Sequence, residues 1–273
     1  MEVGLLHPGE MGAAIGAALR TRGKKVLWAS AGRSRATAAR AEAAGLTDVG
    51  DVGELRRSCE VLLSVCPPHA AVDVARQSKG FAGLYVDANA VSPASARAIA
   101  RLVDRFVDGG IIGPPPQTPG TTRVYLSGGE AELVAGLFAG TVVDARVVSE
   151  EPGVASALKM SYASWTKGSS ALLLAARALA QAEGVEAALL EEWRLSLPQL
   201  ADRSAAAGRS ALRKGWRWVG EMEEIAASYA AAGLPEGFHH AAGEIYQRAS
   251  ADPPDATMEQ VLAAIRDSHR VRE

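Results

Sequence analysis

Over roughly the first 145 residues, short β-branched and leucine-rich runs alternate with alanine-rich stretches. That alternation limits the chain to strand–helix–strand units feeding a parallel sheet. The strand-like runs cover residues 3–6, 25–29, 61–66, 84–88, 106–112, 122–127 and 144–148. Most are too uniformly apolar to have a wet face, as expected of strands covered by helices on both sides. After Pro152 these runs stop, and alanine, leucine, glutamate and arginine dominate to the end. The expectation is two domains, an α/β doubly wound sheet over 1–150 and an all-α domain over 151–273. Pro152 and Gly153 open a long helix running to about Ala182, which Gly184 stops. Gly233, Leu234 and Pro235 punctuate a further helix pair, and Pro253 and Pro254 set off a last short helix.

A chain of 273 residues, 48% of them hydrophobic, can fill two such cores. Its net charge of -2 comes from bases scattered among acids, which gives no case for a nucleic-acid or anionic-membrane partner. The two cysteines, Cys59 and Cys66, match no disulfide or zinc-ligand spacing; no metal is expected, and reduced thiols fit a cytoplasmic protein. The most apolar stretch, 171–180, is broken by Arg177 and too short to span a bilayer. The first residues form a strand rather than an export signal.

Directly after the first strand comes His7-Pro8-Gly9-Glu10-Met11-Gly12, then a helix whose Met11, Ile15, Ala18 and Leu19 recur at helical spacing. Gly9 lets the backbone approach a pyrophosphate, Gly12 lets helix and strand pack closely, and the helix start offers amides and a positive dipole end. His7 stands where a full GxGxxG pattern has glycine, either as a phosphate contact or as a turn residue capping nearby backbone. The second strand carries no acid for a ribose 2′-hydroxyl, for there is no Asp or Glu between Met11 and Arg40. It leads through Ser30 into Arg33, Ser34 and Arg35, the hydroxyls and guanidinium groups that a 2′-phosphate requires. These residues imply NADP in a Rossmann-type domain; a merely solvated loop is the competing reading.

Cys66-Pro67-Pro68 ends the strand begun at 61, where open α/β sheets bind ligands, and its prolines form a rigid wall. The next strand ends in Asp87-Ala88-Asn89, with Ser92 and Pro93 as cap and first residue of a helix. Asn89 is then either a turn former or an amide for the nicotinamide ribose or the substrate. On the long helix, Lys159, Tyr162, Thr166 and Ser170 form one polar stripe, and Leu158, Trp165 and Leu172 a separate apolar face. A lysine in an alanine-rich helix either snorkels to the surface or is desolvated into a general acid or base. Lys167, off the stripe, reads as structural or exposed.

Together these landmarks resemble the β-hydroxyacid dehydrogenase superfamily, which includes 6-phosphogluconate dehydrogenase, hydroxyisobutyrate dehydrogenase and, more distantly, the imine reductases. The family turn, roughly GFIGLGxMG, is matched at Gly4, Gly9, Met11 and Gly12, and its DxSTxxSP-like segment at Asp87, Ser92 and Pro93, with Asn89 where a substrate-binding serine is usual. The family lysine falls on Lys159, preceded by Gly153; the positions of the two family asparagines carry Tyr162 and Ala163. The family's carboxylate-binding DAPVSGG segment is replaced by Asp108-Gly109-Gly110-Ile111-Ile112-Gly113-Pro114, without its serine. HPGEMG, KMSYASWTKGSSALL from Lys159 to Leu173, and Trp216 to Met222 mark a phosphogluconate-dehydrogenase-like branch with a distinctive C-terminal domain.

The resemblance implies hydride transfer between NADP and a small hydroxy or keto compound, with Lys159 as general acid or base. It also implies a homodimer through the helical domain. Asn89, Ile112, Gly113, Tyr162, Thr166 and His239 are the candidate substrate residues. Trp165, Trp216, Trp218, Phe238 and the pair His239 and His240 either line that pocket or pack in the core. Two alternatives stay open: imine reduction, motivated by Tyr162 and the altered clamp, and a non-catalytic NADP-binding or sensing protein.

Overall fold

The computed structural model describes residues 1–250 and 255–267. It divides into two compact units, Met1–Met160 and Ser161–Glu273, so the observed boundary lies inside the long helix, beyond the one expected near 150.

The first unit runs β1 (Val3–Leu5), α1 (Glu10–Arg20), β2 (Val26–Trp28), α2 (Arg35–Ala43), β3 (Thr47–Asp48), α3 (Val52–Ser58) and β4 (Val61–Ser64). It continues with a 3-10 turn at Pro68–Ala70, α4 (Ala71–Gln77), β5 (Leu84–Asp87), α5 (Pro93–Ala100), β6 (Phe106–Ile112), β7 (Thr122–Ser127), α6 (Ala131–Leu137) and β8 (Val143–Ser149). The eight strands form one sheet in the order β3-β2-β1-β4-β5-β6-β7-β8. β1 is flanked by β2 and β4, both parallel to it, so the chain winds away in opposite directions on its two sides. A crevice beyond the strand ends follows from that reversal. The parallel expectation fails at one place, where β7 runs antiparallel to β6.

Alternate side chains of the strands divide the core into two layers. Leu5, Leu63 and Val86 meet Ile15 and Leu19 of α1 and Val134 and Leu137 of α6 on one face. Leu27, Leu62 and Tyr85 meet Leu55 of α3, Val74 of α4 and Ile99 of α5 on the other. Burial on both faces is why the strands read as unbroken apolar runs. In this unit three helices start on their own cap: Ser34 accepts from Thr37 N at 3.2 Å, Asp51 from Glu54 N at 2.8 Å, and Ser92 from Ser95 N at 3.1 Å, with Pro93 at the first helical position.

The long helix is α7 (Val154–Ala182), and Gly184 beyond its end has φ of 69°, a left-handed stop that glycine takes without strain. The second unit adds α8 (Glu186–Ser196), α9 (Leu200–Ala231), α10 (Gly237–Ala249) and α11 (Met258–Arg266). Its core holds Leu174, Ala211, Met222, Ile225, Tyr246 and Leu262. Buried Arg177 of α7 ties α8 and α9 to itself, pairing with Glu186 and donating to Ser204 Oγ at 3.2 Å. Pro253 and Pro254 lie outside the described residues; the short helix expected after them is α11. Among the described residues, no helix is long and apolar enough to cross a membrane.

Candidate functional site

β1 delivers its chain end into a tight turn, in which Gly9 N donates to the His7 carbonyl at 2.9 Å. A side chain at Gly12 would collide with that same carbonyl, so the close approach of α1 to β1 demands glycine there. At Gly9 an added Cβ would meet nothing, which leaves an open cradle. Pro8 is buried, with its carbonyl accepting from Arg40 Nε at 3.4 Å, while Glu10 is exposed and Met11 packs partly into the core. Unlike α2, α3 and α5, α1 begins with no side-chain cap. Its first-turn amides and dipole end therefore face the cradle as an anion site would.

His7 Nδ1 and Arg33 Nε are both buried without a hydrogen-bond partner. Burial, reinforced by the nearby Arg33 charge, holds the His7 pKa down at about 4, so the imidazole is neutral at pH 7. Two orphaned nitrogens beside an open glycine cradle fit a bound anionic group. Ser34 is occupied as the cap of α2, and Arg35 is exposed in its first turn. The structure also adds an acid that local sequence reading missed. Asp48 of β3 accepts from Ser30 N at 3.2 Å and from Gly50 N at 2.9 Å. Partial burial opposes its charge, but the Ser30 side chain and the Gly50, Ser30 and Val49 amides outweigh it and keep the carboxyl below its ordinary range. The stretch from Met11 to Arg40 is free of acids, yet the fold brings one to its edge from a strand only two residues long.

At the ends of β4 and β5, Asn89 is buried and fully engaged. Its Oδ1 accepts from Cys66 N at 2.6 Å, and its Nδ2 donates to Ser64 Oγ at 3.0 Å and to Asp87 Oδ2 at 2.9 Å. The expected free amide is thus spent on joining the two strand ends, and Asn89 shapes the crevice rather than offering its protons to it. Burial, with the neighbouring Asp87 charge, pushes the Cys66 thiol up to about 12, so it stays protonated. Pro67 leads into the 3-10 turn and Pro68 is buried in it.

Lys159 lies on the second turn of α7, over β6. A Cβ built on Gly110 would stand 3.0 Å from Lys159 Cβ and 2.9 Å from the Ala155 carbonyl, so glycine in mid-strand is what admits the helix. β5 and β6 pair in parallel with Asp87 opposite Asp108, which sets Gly109 and Gly110 beside the Asp87–Asn89 strand end. Ile112 is buried at the end of β6, and Gly113, with φ of 124°, turns the chain against Thr121 and Thr122. Further along α7, Tyr162 is exposed. Thr166 Oγ1 donates to the Tyr162 carbonyl at 3.2 Å and Ser170 Oγ to the Thr166 carbonyl at 2.9 Å, so both hydroxyls bond back to their own helix.

His239 belongs to the helical unit. It lines a cavity of about 460 Å³ with Ser164, Trp165, Leu173, Tyr229 and Phe238, and its buried Nδ1 has no partner. Burial lowers its pKa. Of the aromatic candidates, Trp165 and Phe238 share this cavity. Trp218 packs edge-on against Tyr246, with ring centroids 5.0 Å apart, and Trp216 is exposed. His240 pairs with Glu223 at 3.0 Å. Lys167 proves structural, bound to Glu221 at 2.6 Å in a largely buried pair. Among the described residues no cluster of three metal-ligating side chains occurs.

A family model described as a domain of unknown function, DUF1932, matches residues 180–249. The fold is that of 3-hydroxyisobutyrate dehydrogenase: the Mycobacterium tuberculosis enzyme, solved with L-serine, superposes with a TM-score of 0.68 at 17% identity, covering 98% of this chain and 100% of that one. A conserved protein of unknown function, MTH1747, described as structurally similar to 3-hydroxyacid dehydrogenases, is 28% identical, with a TM-score of 0.66 over 92% of this chain and 98% of its own. The Aspergillus terreus reductive aminase, solved with NADPH and ethyl levulinate, matches at 19% identity and a TM-score of 0.57, covering 97% and 99%. The resemblance read from the motifs is borne out in the two-domain fold.

The depressed His7 pKa makes folding stability depend on pH. The unfolded imidazole takes up its proton near 6.5 and the folded one only near 4, so stability contributed by neutral His7 is complete above about 6.5 and is lost as pH falls to 4. Full linkage is worth up to about 3 kcal/mol. Urea unfolding of His7→Gln against wild type at pH 7.5, 5.5 and 4.2 is expected to show a shallower fall for the variant; parallel curves would remove His7 as a buried neutral group.

Proposed function

We propose that the chain is an NADP(H)-dependent oxidoreductase that transfers hydride between the nicotinamide and a small hydroxy or keto compound, with Lys159 as the general acid or base. The observation that carries this reading is the close seating of Lys159 over Gly110, beside the Asp87–Asn89 strand end and on the sheet whose β1 end holds the glycine cradle. The cradle at Gly9, the uncapped start of α1, His7 and Arg33 would hold the cofactor, with Ser30, Ser34 and Arg35 around its 2′-phosphate. When bound, that cofactor supplies or accepts the hydride. Pro67 and Pro68 wall the crevice, and Asn89 keeps its two strand ends in register. Lys159 would then give a proton to the carbonyl oxygen on reduction, or take one from the hydroxyl on oxidation. The unpaired thiols fit a cytoplasmic setting.

A second copy of the chain is proposed to cover the helical unit. Trp165, Leu172 and Leu179 recur every seventh residue on α7 and are 69%, 56% and 64% exposed, a continuous apolar stripe of the kind that packs on another helix. The imine reading is kept for one reason: Tyr162 is an exposed hydroxyl on Lys159's helix.

A panel of hydroxy acids, keto acids, aldehydes and cyclic imines with NADP(H) tests the chemistry. Lys159→Ala is expected to cut turnover of the accepted substrate by about 10²- to 10⁴-fold with cofactor affinity nearly unchanged. Turnover of imines alone would move the assignment to C=N reduction, and cofactor binding without any turnover would favour a sensor. Arg33→Ala is expected to lower the NADP-over-NAD affinity ratio by about tenfold or more; an unchanged ratio would sink the 2′-phosphate assignment. Leu172→Glu is expected to sediment as a monomer, whereas a wild-type chain that is itself monomeric would dispose of the proposed interface.

A further inference from the structure

The sheet caps the start of α7. Asp108 is fully buried on β6, and its Oδ2 accepts from Gly153 N at 3.0 Å, Ser156 N at 2.9 Å and Ser127 Oγ at 3.1 Å. Its Oδ1 accepts from Ser156 Oγ at 2.6 Å. Ser127, directly opposite Asp108 in the β6–β7 register, in turn accepts from Ala155 N at 3.0 Å. Two neighbouring strands thus take up three amides at and just before the first turn of the helix that bears Lys159. Together these bonds restrict both the rotation and the translation of the helix start. Gly153, with φ of 99°, allows the sharp entry that brings these amides onto the carboxylate. One turn later Gly110 removes the last obstacle between strand and helix, and Lys159 Cβ settles against it.

We infer that Asp108, seconded by Ser127, is a positioning residue that sets the rotation of α7 and thereby the place of the Lys159 ammonium at the strand end. The inference rests on the catalytic reading of Lys159 for its consequence in turnover, but not for the geometry itself. A carboxylate at a helix N-terminus with four donors is held strongly by charge-assisted hydrogen bonds and by the helix dipole. Loss of its charge would loosen the first turn of α7 without touching the glycine cradle, and displacement of a reacting group by about 1 Å is enough to cost about 10²-fold in rate.

Asp108→Asn keeps the shape of the side chain, since Ser156 Oγ can turn to accept from the new amide. The expected result is a fall in kcat of about 10²-fold, a shift in the pH–kcat limb that disappears in Lys159→Ala, and a cofactor dissociation constant within about twofold of wild type. A kcat and pH profile equal to wild type would overturn the inference. A second measurement is independent of turnover. In the reductively 13C-methylated protein, the Lys159 resonance, identified by its loss in Lys159→Arg, should titrate differently in Asp108→Asn; an unchanged titration would overturn the positioning role. If wild type turns over no substrate in the panel while this resonance moves, Asp108 stands as the positioning group and only the catalytic reading falls. Should Asp108→Asn fail to fold, Ser156→Ala, which removes the hydroxyl bond to Asp108 but keeps the carboxylate and the Ser156 amide bond, is expected to change the Lys159 titration relative to wild type; an unchanged titration would overturn the inference.

Discussion

The anchoring of α7 on a buried carboxylate is the constraint from which the other features of the site follow. A helix start leaves unpaired amides that must find acceptors, and here Gly153, Ala155 and Ser156 find them in the sheet. This choice forces glycine into mid-strand at 110, where a β-branched or aromatic residue would otherwise be preferred. It also explains why the first turns of α7 belong with the sheet and the remainder with the helical unit.

The crevice is built from internally satisfied polar groups on one side and unsatisfied ones on the other. Asn89, Asp87, Ser64 and the Cys66 amide close their hydrogen bonds among themselves, which makes that wall rigid. His7 and Arg33 do not close theirs. Buried polar atoms without partners cost stability, and a fold retains them where a bound group repays the loss.

Much of the fold was legible because burial and periodicity act locally. β6 and β7 appear at the bounds read from their apolar runs, and α7 differs from its expected span by a residue or two. β3 was not legible: Thr47 and Asp48 are exposed, and two residues carry no period. Strand direction was not legible either, since side chains alternate in the same way whether a strand pairs in parallel or antiparallel, as β7 does on its two sides. In the site, the cradle and Lys159 follow from residue type and spacing. The engagement of Asn89 and the arrival of Asp48 beside Ser30 do not, because both depend on partners 23 and 18 residues away. The apolar face read on α7 mixes two environments, with Leu158 partly covered and Trp165 and Leu172 open to solvent.

The contact between Asp48 and Ser30 bears on which dinucleotide the proposed site would take. The backbone amide at the end of β2 is held by a carboxylate, while a guanidinium stands close by on the same loop. A carboxylate attracts a ribose hydroxyl and repels a phosphate; a guanidinium does the reverse. Both signs of charge are therefore present on one short connection whose backbone is already set. A switch between the two nicotinamide dinucleotides would need a shift in the local balance of charge, made by one or two side-chain replacements, and no change in the path of the chain.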